Sequence, residues 1–327
     1  YLLGVVFRSF RIDLLKNYYD VNTTCDEKCL DPYINSLSIL KKKNPSNYAI
    51  KIFSYISFQL RLFRYLTLHK DTHVINFSES ISPFYFNRQI IFLHDLIQIY
   101  YPRKKSIYFF YRYYLLFIAR KSALNITTSF ASKDDLSSYG IKSTVIYRMY
   151  AALDKIKISE YSSEKKDYIG VYVGTLAQHK NFNYFLQIVK ALKHYKFLAI
   201  LPERDARALN PPSNLEVSFS LNKTDYIKKI KSSDFFISPS HIEGFGPVFD
   251  GMLYGIKTLV SDIPVYREIF CDTSLFFDKS NVDSCVKVIL DNLDKDFHPD
   301  EANKLKDMLA LQPQKFLELI QSLIPCK

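Results

Sequence analysis

The run from Ser233 to Gly255 constrains this chain more than any other stretch. Ser233-Asp234-Phe235-Phe236-Ile237 reads as a short buried strand, and Val248 to Leu253 has the apolar spacing of a helix. Glu243-Gly244-Phe245-Gly246 therefore falls in a strand-to-helix turn, where an α/β sheet holds its ligand. Glycines let the backbone approach a phosphate or sugar closely, and the N–H groups of a first helical turn attract negative charge. Glu243 and Asp250, on either side, are carboxylates suited to binding hydroxyls, and the turn is expected to face solvent. A second turn of the same kind follows the buried strand Tyr168–Val173. It runs Gly174-Thr175-Leu176-Ala177-Gln178-His179-Lys180-Asn181 and leads into a helix with Phe185, Ile188, Val189 and Leu192 on one face.

Alternating strand and helix patterns fill the rest. Tyr1–Phe7 and His73–Phe77 read as strands, with helices at 32–43 and 46–70 between them. Ile90–Leu93 is a fully apolar strand running into His94-Asp95-Leu96, a polar pair at a strand end where parallel sheets present catalytic groups. Leu124–Ser129 is the next strand, Ser132-x-x-Asp135 a capping box for the helix after it, and Val145–Tyr147 a last strand of the first half. In the second half, Phe197–Leu201, Leu215–Phe219 and Lys257–Ser261 read as strands, and residues 223–232 and Gln312–Leu323 as helices. A chain of 327 residues fits two domains. The expected boundaries are 1–153, a Lys-, Ser- and Glu-rich linker at 154–167, a second domain at 168–311, and a terminal helix at 312–327 able to return to the first domain.

Charge separates the halves. Residues 1–150 carry 21 Lys and Arg against 10 Asp and Glu, whereas residues 151–327 carry 23 of each, so the whole net charge of +11 lies in the first half. A domain this basic expects a polyanionic partner. Between Tyr100 and Phe117, nine aromatic residues alternate with Arg103, Lys104, Lys105 and Arg112. Three readings are open: an anionic membrane surface, a plain core, or stacking on RNA, the last without any accompanying RNA motif. The 5 cysteines form no paired framework, no metal site is read, and no apolar run is long enough to span a membrane, which together imply a cytoplasmic protein.

The stretch Ser233–Asp278 resembles the nucleotide-sugar site of retaining family 4 glycosyltransferases of the GT-B fold. Pro239-Ser240, Glu243-Gly-Phe-Gly246, Asp250, Gly255 and Pro264-x-x-x-Glu268 carry the resemblance, joined by Gly174-Thr-Leu with Lys180-Asn181, by Ser129-x-x-Ser-Lys-x-Asp-Leu136, and by His94-Asp95-Leu96. It departs from the family in its spacing, Glu-x6-Asp in place of Glu-x7-Glu, and in lacking an Arg near Lys180, where His179 and Thr175 stand. The resemblance implies two Rossmann-like domains facing across a cleft. It implies metal-independent transfer of a hexose from a UDP-, GDP- or dTDP-sugar to a glycan, as in O-antigen or capsule assembly, with the enzyme peripheral on the inner membrane face and the acceptor lipid-linked. By the same resemblance Glu243 grips sugar hydroxyls, Lys180 neutralises the diphosphate, with Gly174, Thr175, His179, Gly244, Phe245 and Gly246 around it. Asp250 takes the ribose, His94 meets the transferred sugar or its anomeric region, and Asp95 supports the site or the acceptor. An epimerase, a phosphorylase or a non-catalytic sugar-nucleotide-binding protein would share these parts.

Overall fold

The computed structural model describes residues 4–8, 11–12, most of 56–76, 81–147, 166–244, 246–270, 274–295 and 299–323. The expected helix at 32–43, nearly all of the 154–167 linker, and Phe245 lie outside them. The chain divides into two compact units, Tyr1–Ala152 together with Leu309–Lys327, and Leu153–Met308.

The first unit is built on a sheet of β1 (Gly4–Arg8), β2 (Arg11–Ile12), β3 (Thr72–Asn76), β4 (Gln89–Phe92), β5 (Leu124–Thr127) and β6 (Thr144–Val145), in the order β2-β1-β3-β4-β5-β6. From β3 to β6 the strands are parallel, but β1 runs antiparallel to both neighbours, so this sheet is mixed. Apolar strands such as β4, buried at every position, are what a sheet covered on both faces requires. The core beside it gathers Ile91, Leu93, Leu96, Leu115, Leu116, Ile118 and Leu136. The helix Phe130–Ser138 is capped by Ser129, whose hydroxyl accepts the Ser132 N–H at 3.0 Å. That places the cap three residues before the expected capping box, because Ser129 alone of the two is extended when its oxygen meets the free N–H.

The aromatic run forms a helical stretch of three segments, Lys105–Phe109, the π-helical Phe110–Leu115, and Leu116–Ala119. Its aromatics divide. Tyr111 is buried, while Phe109, Phe110, Tyr113 and Phe117 are exposed, Tyr113 at 64%. The terminal helix Gln312–Leu323 packs on this unit: the Gln312 side-chain oxygen accepts the Tyr147 N–H at 3.1 Å, and the Phe316 and Phe92 rings lie 5.6 Å apart. Among the described residues no helix is long and apolar enough to cross a membrane.

The second unit is a fully parallel sheet: β7 (Tyr168–Val173), β8 (Phe197–Ile200), β9 (Leu215–Ser218), β10 (Ser233–Ser238), β11 (Lys257–Ser261) and β12 (Ser274–Phe277). Its order, β12-β11-β10-β7-β8-β9, is the doubly wound Rossmann order, and the chain reverses direction between β7 and β10. Phe185, Ile188, Val189, Phe197, Phe235 and Ile237 form its core. The helix Val248–Leu253 lies tight on β10: a Cβ on Gly251 would stand 2.6 Å from the Phe236 Cβ, so only glycine permits that approach. Both glycine turns leave the sheet at the carboxyl ends of β7 and β10, flanking the switch point.

Candidate active site

Two loops meet here. After β7, the loop is shaped from beneath by Tyr172, whose hydroxyl donates to the Thr175 carbonyl at 2.8 Å, while Asp205 accepts the Leu176 N–H at 3.0 Å. A Cβ on Gly174 would come within 2.8 Å of the Tyr172 hydroxyl, which explains the glycine. Asn181, in the left-handed region at φ 51°, ends the turn Gln178–Lys180 and starts the helix Phe182–Ala191. After β10, the His241 N–H donates to the His179 carbonyl at 2.8 Å, which ties the second loop to the first.

This junction brings Lys180 onto Glu243. The ammonium forms an ion pair with Glu243 Oε1, and the Ser240 hydroxyl donates to the same oxygen at 2.7 Å. Glu243 is therefore not solvent-facing as expected but buried, its side chain only 5% exposed against 16% for that of Lys180. A carboxylate buried this far must be paired, and Lys180 and Ser240 supply the partners. Gly246, at φ 74°, lets the turn fold back over it; a Cβ there would stand 3.2 Å from the Tyr266 hydroxyl and 3.4 Å from Glu243. Below lies a layer of buried hydroxyls: Ser238 and Tyr266 share a hydrogen bond of 2.7 Å, and Ser261 donates to the Ser240 carbonyl at 2.5 Å. Burial, and then the charges of Glu243 and Asp205, push the Tyr172 phenol well above its ordinary range; burial and Glu243 do the same to Tyr266. Both remain neutral at any ordinary pH.

Asp250, half-buried in the first turn of its helix, accepts a hydrogen bond from the Tyr226 hydroxyl at 2.7 Å. His179 is buried at 8%, with its backbone carbonyl in use. Lys279 is a further cation beside the loops, donating to the His241 carbonyl at 3.3 Å; burial and Lys279 hold the His241 imidazole below its usual pKa. In the first unit, His94 stands exposed after β4, and Asp95 Oδ1 accepts the Ile97 N–H at 2.9 Å, starting the helical turn Ile97–Tyr100.

The structure thus assembles Gly174, Thr175, His179, Lys180, Glu243, Gly244 and Gly246 around one ion pair, while His94 and Asp95 stand on the other unit. Tyr172, Tyr226, Tyr266, Asp205 and Lys279 are additions that sequence spacing did not reveal, since each reaches the site from a separate element. One acidic pair at metal-ligand spacing, Asp294-Lys295-Asp296, also escaped the sequence reading. Asp294, the described member of the pair, follows the helix Val282–Asp291, where Lys257, the first residue of β11, donates to the carbonyls of Asn292, Leu293 and Lys295 at 2.7–2.9 Å. That is the amino edge of the sheet, opposite the glycine turns.

A doubly wound unit with its site at the switch point, joined to a second α/β unit, is the two-domain architecture of the GT-B fold. Residues 154–308 match the family Glycosyl transferases group 1. Among curated proteins, the chain is 27% identical over 219 residues to the O-antigen chain mannosyltransferase RfbU of Salmonella typhimurium strain LT2. The match covers 62% of this chain and 60% of that protein's length. Among solved structures, the fold is similar to WaaG, a glycosyltransferase involved in lipopolysaccharide biosynthesis, at TM-score 0.59 and 13% identity, covering 87% of this chain and 86% of WaaG. A glycosyltransferase from Rickettsia africae ESF-5 gives TM-score 0.54 at 15% identity over 92% of this chain and 88% of its own. Anabaena HepE in complex with UDP gives 0.54 at 13%, over 72% of each.

Proposed function

We propose that this chain is a retaining glycosyltransferase that moves a hexose from a UDP-, GDP- or dTDP-sugar to a glycan acceptor without a divalent ion. The observation that carries this reading is the Lys180–Glu243 pair at the carboxyl edge of β7 and β10. Departure of the diphosphate builds negative charge, and Lys180 is a cation at the site able to stabilise it. A bound diphosphate would take Lys180 from Glu243 and release that carboxylate to hold sugar hydroxyls. Asp250 binds the ribose, His94 contacts the transferred sugar, and Asp95 orients that loop. Same-face attack needs no covalent nucleophile. The names of RfbU and WaaG, and the UDP in the HepE complex, support a sugar-nucleotide donor and a surface-polysaccharide role.

The acceptor on this reading is lipid-linked, and the basic first unit holds the enzyme at the cytoplasmic face of an anionic membrane. Arg103, Lys104 and Lys105 are exposed beside Phe109, Phe110, Tyr113 and Phe117, an arrangement of cations and aromatics matching an anionic interface. The deciding test is a panel of sugar nucleotides screened by thermal shift, followed by donor turnover with and without a glycan acceptor and EDTA. One donor should raise the melting temperature, consumption should require acceptor, and EDTA should change little. Failure of every sugar nucleotide to stabilise the protein would overturn the reading.

A further inference from the structure

We infer that Tyr226 is a positioning residue that aims Asp250 at the ribose of the nucleotide. This rests on the reading of Asp250 as the ribose-binding acid. The residue missing from the Glu-x6-Asp spacing falls in the turn before Pro247, ahead of the helix Val248–Leu253, so its loss changes how that helix leaves the turn and with it the aim of the acid. Asp is also one methylene shorter than Glu. Tyr226 reaches in from the helix Lys223–Lys231 to hold Asp250 Oδ2 at 2.7 Å, which fixes the acid in its altered setting. That helix is itself fixed, its start capped by Asn222 accepting the Asp225 N–H at 2.9 Å and its Ile230 fully buried. A phenol on a rigid ring pins one carboxylate oxygen and with it the plane of the group. A vicinal diol donates both its hydrogens only to a correctly oriented carboxylate, so the plane decides the affinity. Tyr254, one turn further along, lies in the same field: burial and then Asp250 raise its pKa.

The test compares uridine and guanosine diphosphates with their 2′,3′-dideoxy forms, by calorimetry, on the wild type, Tyr226→Phe and Asp250→Ala. The wild type should prefer the ribose form. Tyr226→Phe should lose about tenfold on the ribose form and nothing on the dideoxy form, since one hydrogen bond to a charged group is removed. Because the readout is a ratio between two ligands on one protein sample, any partial unfolding cancels. Tyr226→Phe with a wild-type ratio, where Asp250→Ala abolishes it, would overturn the positioning role and leave the ribose reading standing. Asp250→Ala with a wild-type ratio would sink the ribose reading and this inference with it.

Discussion

At the residue scale, the proposed site rests on an ion pair that a bound sugar nucleotide would divide. Lys180 and Glu243 neutralise each other, and each is assigned a separate ligand group. Glu243→Gln should separate the two roles, since the amide oxygen can still accept from Ser240 while the ionic partner of Lys180 is gone. Free nucleoside diphosphate should then bind several-fold tighter, because it no longer competes with a carboxylate, while turnover should fall by about 100-fold. Calorimetry and steady-state kinetics on the same sample check both halves. Wild-type turnover would remove Glu243 from the mechanism. Glu243→Ala is the poorer probe, because it leaves a largely buried ammonium without its carboxylate and destabilises the fold by about 1–3 kcal/mol.

At the element scale, the segments Lys105–Phe109, Phe110–Leu115 and Leu116–Ala119 must satisfy a core and a surface together. Leu115, Leu116 and Ile118 are fully buried, while Phe109 and Tyr113 stack outward with ring centroids 5.8 Å apart. Lys121 lies 4.4 Å from the centroid of the Phe117 ring, so the exposed aromatics sit among cations. Replacing Arg103, Lys104 and Lys105 together by Ser should reduce sedimentation with anionic vesicles and make what binding remains less salt-sensitive, since each cation at such a surface contributes about 1 kcal/mol. Neutral vesicles should bind poorly throughout. Equal binding of the wild type to neutral and anionic vesicles at low salt would show that these aromatics serve another purpose.

At the scale of the whole molecule, each unit contains a histidine that the fold keeps neutral. Burial, and then Arg88, lowers the pKa of His73 on β3; burial, and then Lys279, lowers that of His241. A base with a depressed folded pKa binds fewer protons in the native state than when unfolded. The stability is therefore complete above the ordinary histidine value of about 6.5 and is lost as pH falls below it. Melting temperature should drop between pH 7 and pH 5, and His73→Gln should flatten part of that slope. A profile flat over this interval would show that neither imidazole resists protonation. Carboxylates such as Asp262, held below its usual range chiefly by the Arg267 hydrogen bonds, act in a separate and lower window.

The sequence by itself determined several elements of the second unit, Tyr168–Val173, Val248–Leu253 and Lys257–Ser261, and the terminal helix Gln312–Leu323 of the first. Each is legible to the residue, because strands buried on both faces are continuous apolar runs and helices show their own apolar spacing. Lys180 and Glu243 stand out for a local reason, each sitting in a loop that follows a strand end, and Asp250 stands out as the acid of the helix that follows. Their states were decided elsewhere. Glu243 is buried because His241 binds back to the His179 loop and brings Lys180 across 63 residues of sequence, and no local pattern records that closure. Asp250 is hydrogen-bonded by a tyrosine on another helix, and the aromatic run divides between core and surface, with Tyr111 and Leu115 of its π-helical segment buried and Tyr113 exposed. Local periodicity encodes where a chain is apolar. Which polar groups then meet depends on how the parallel strands are ordered, and that is a property of the folded sheet.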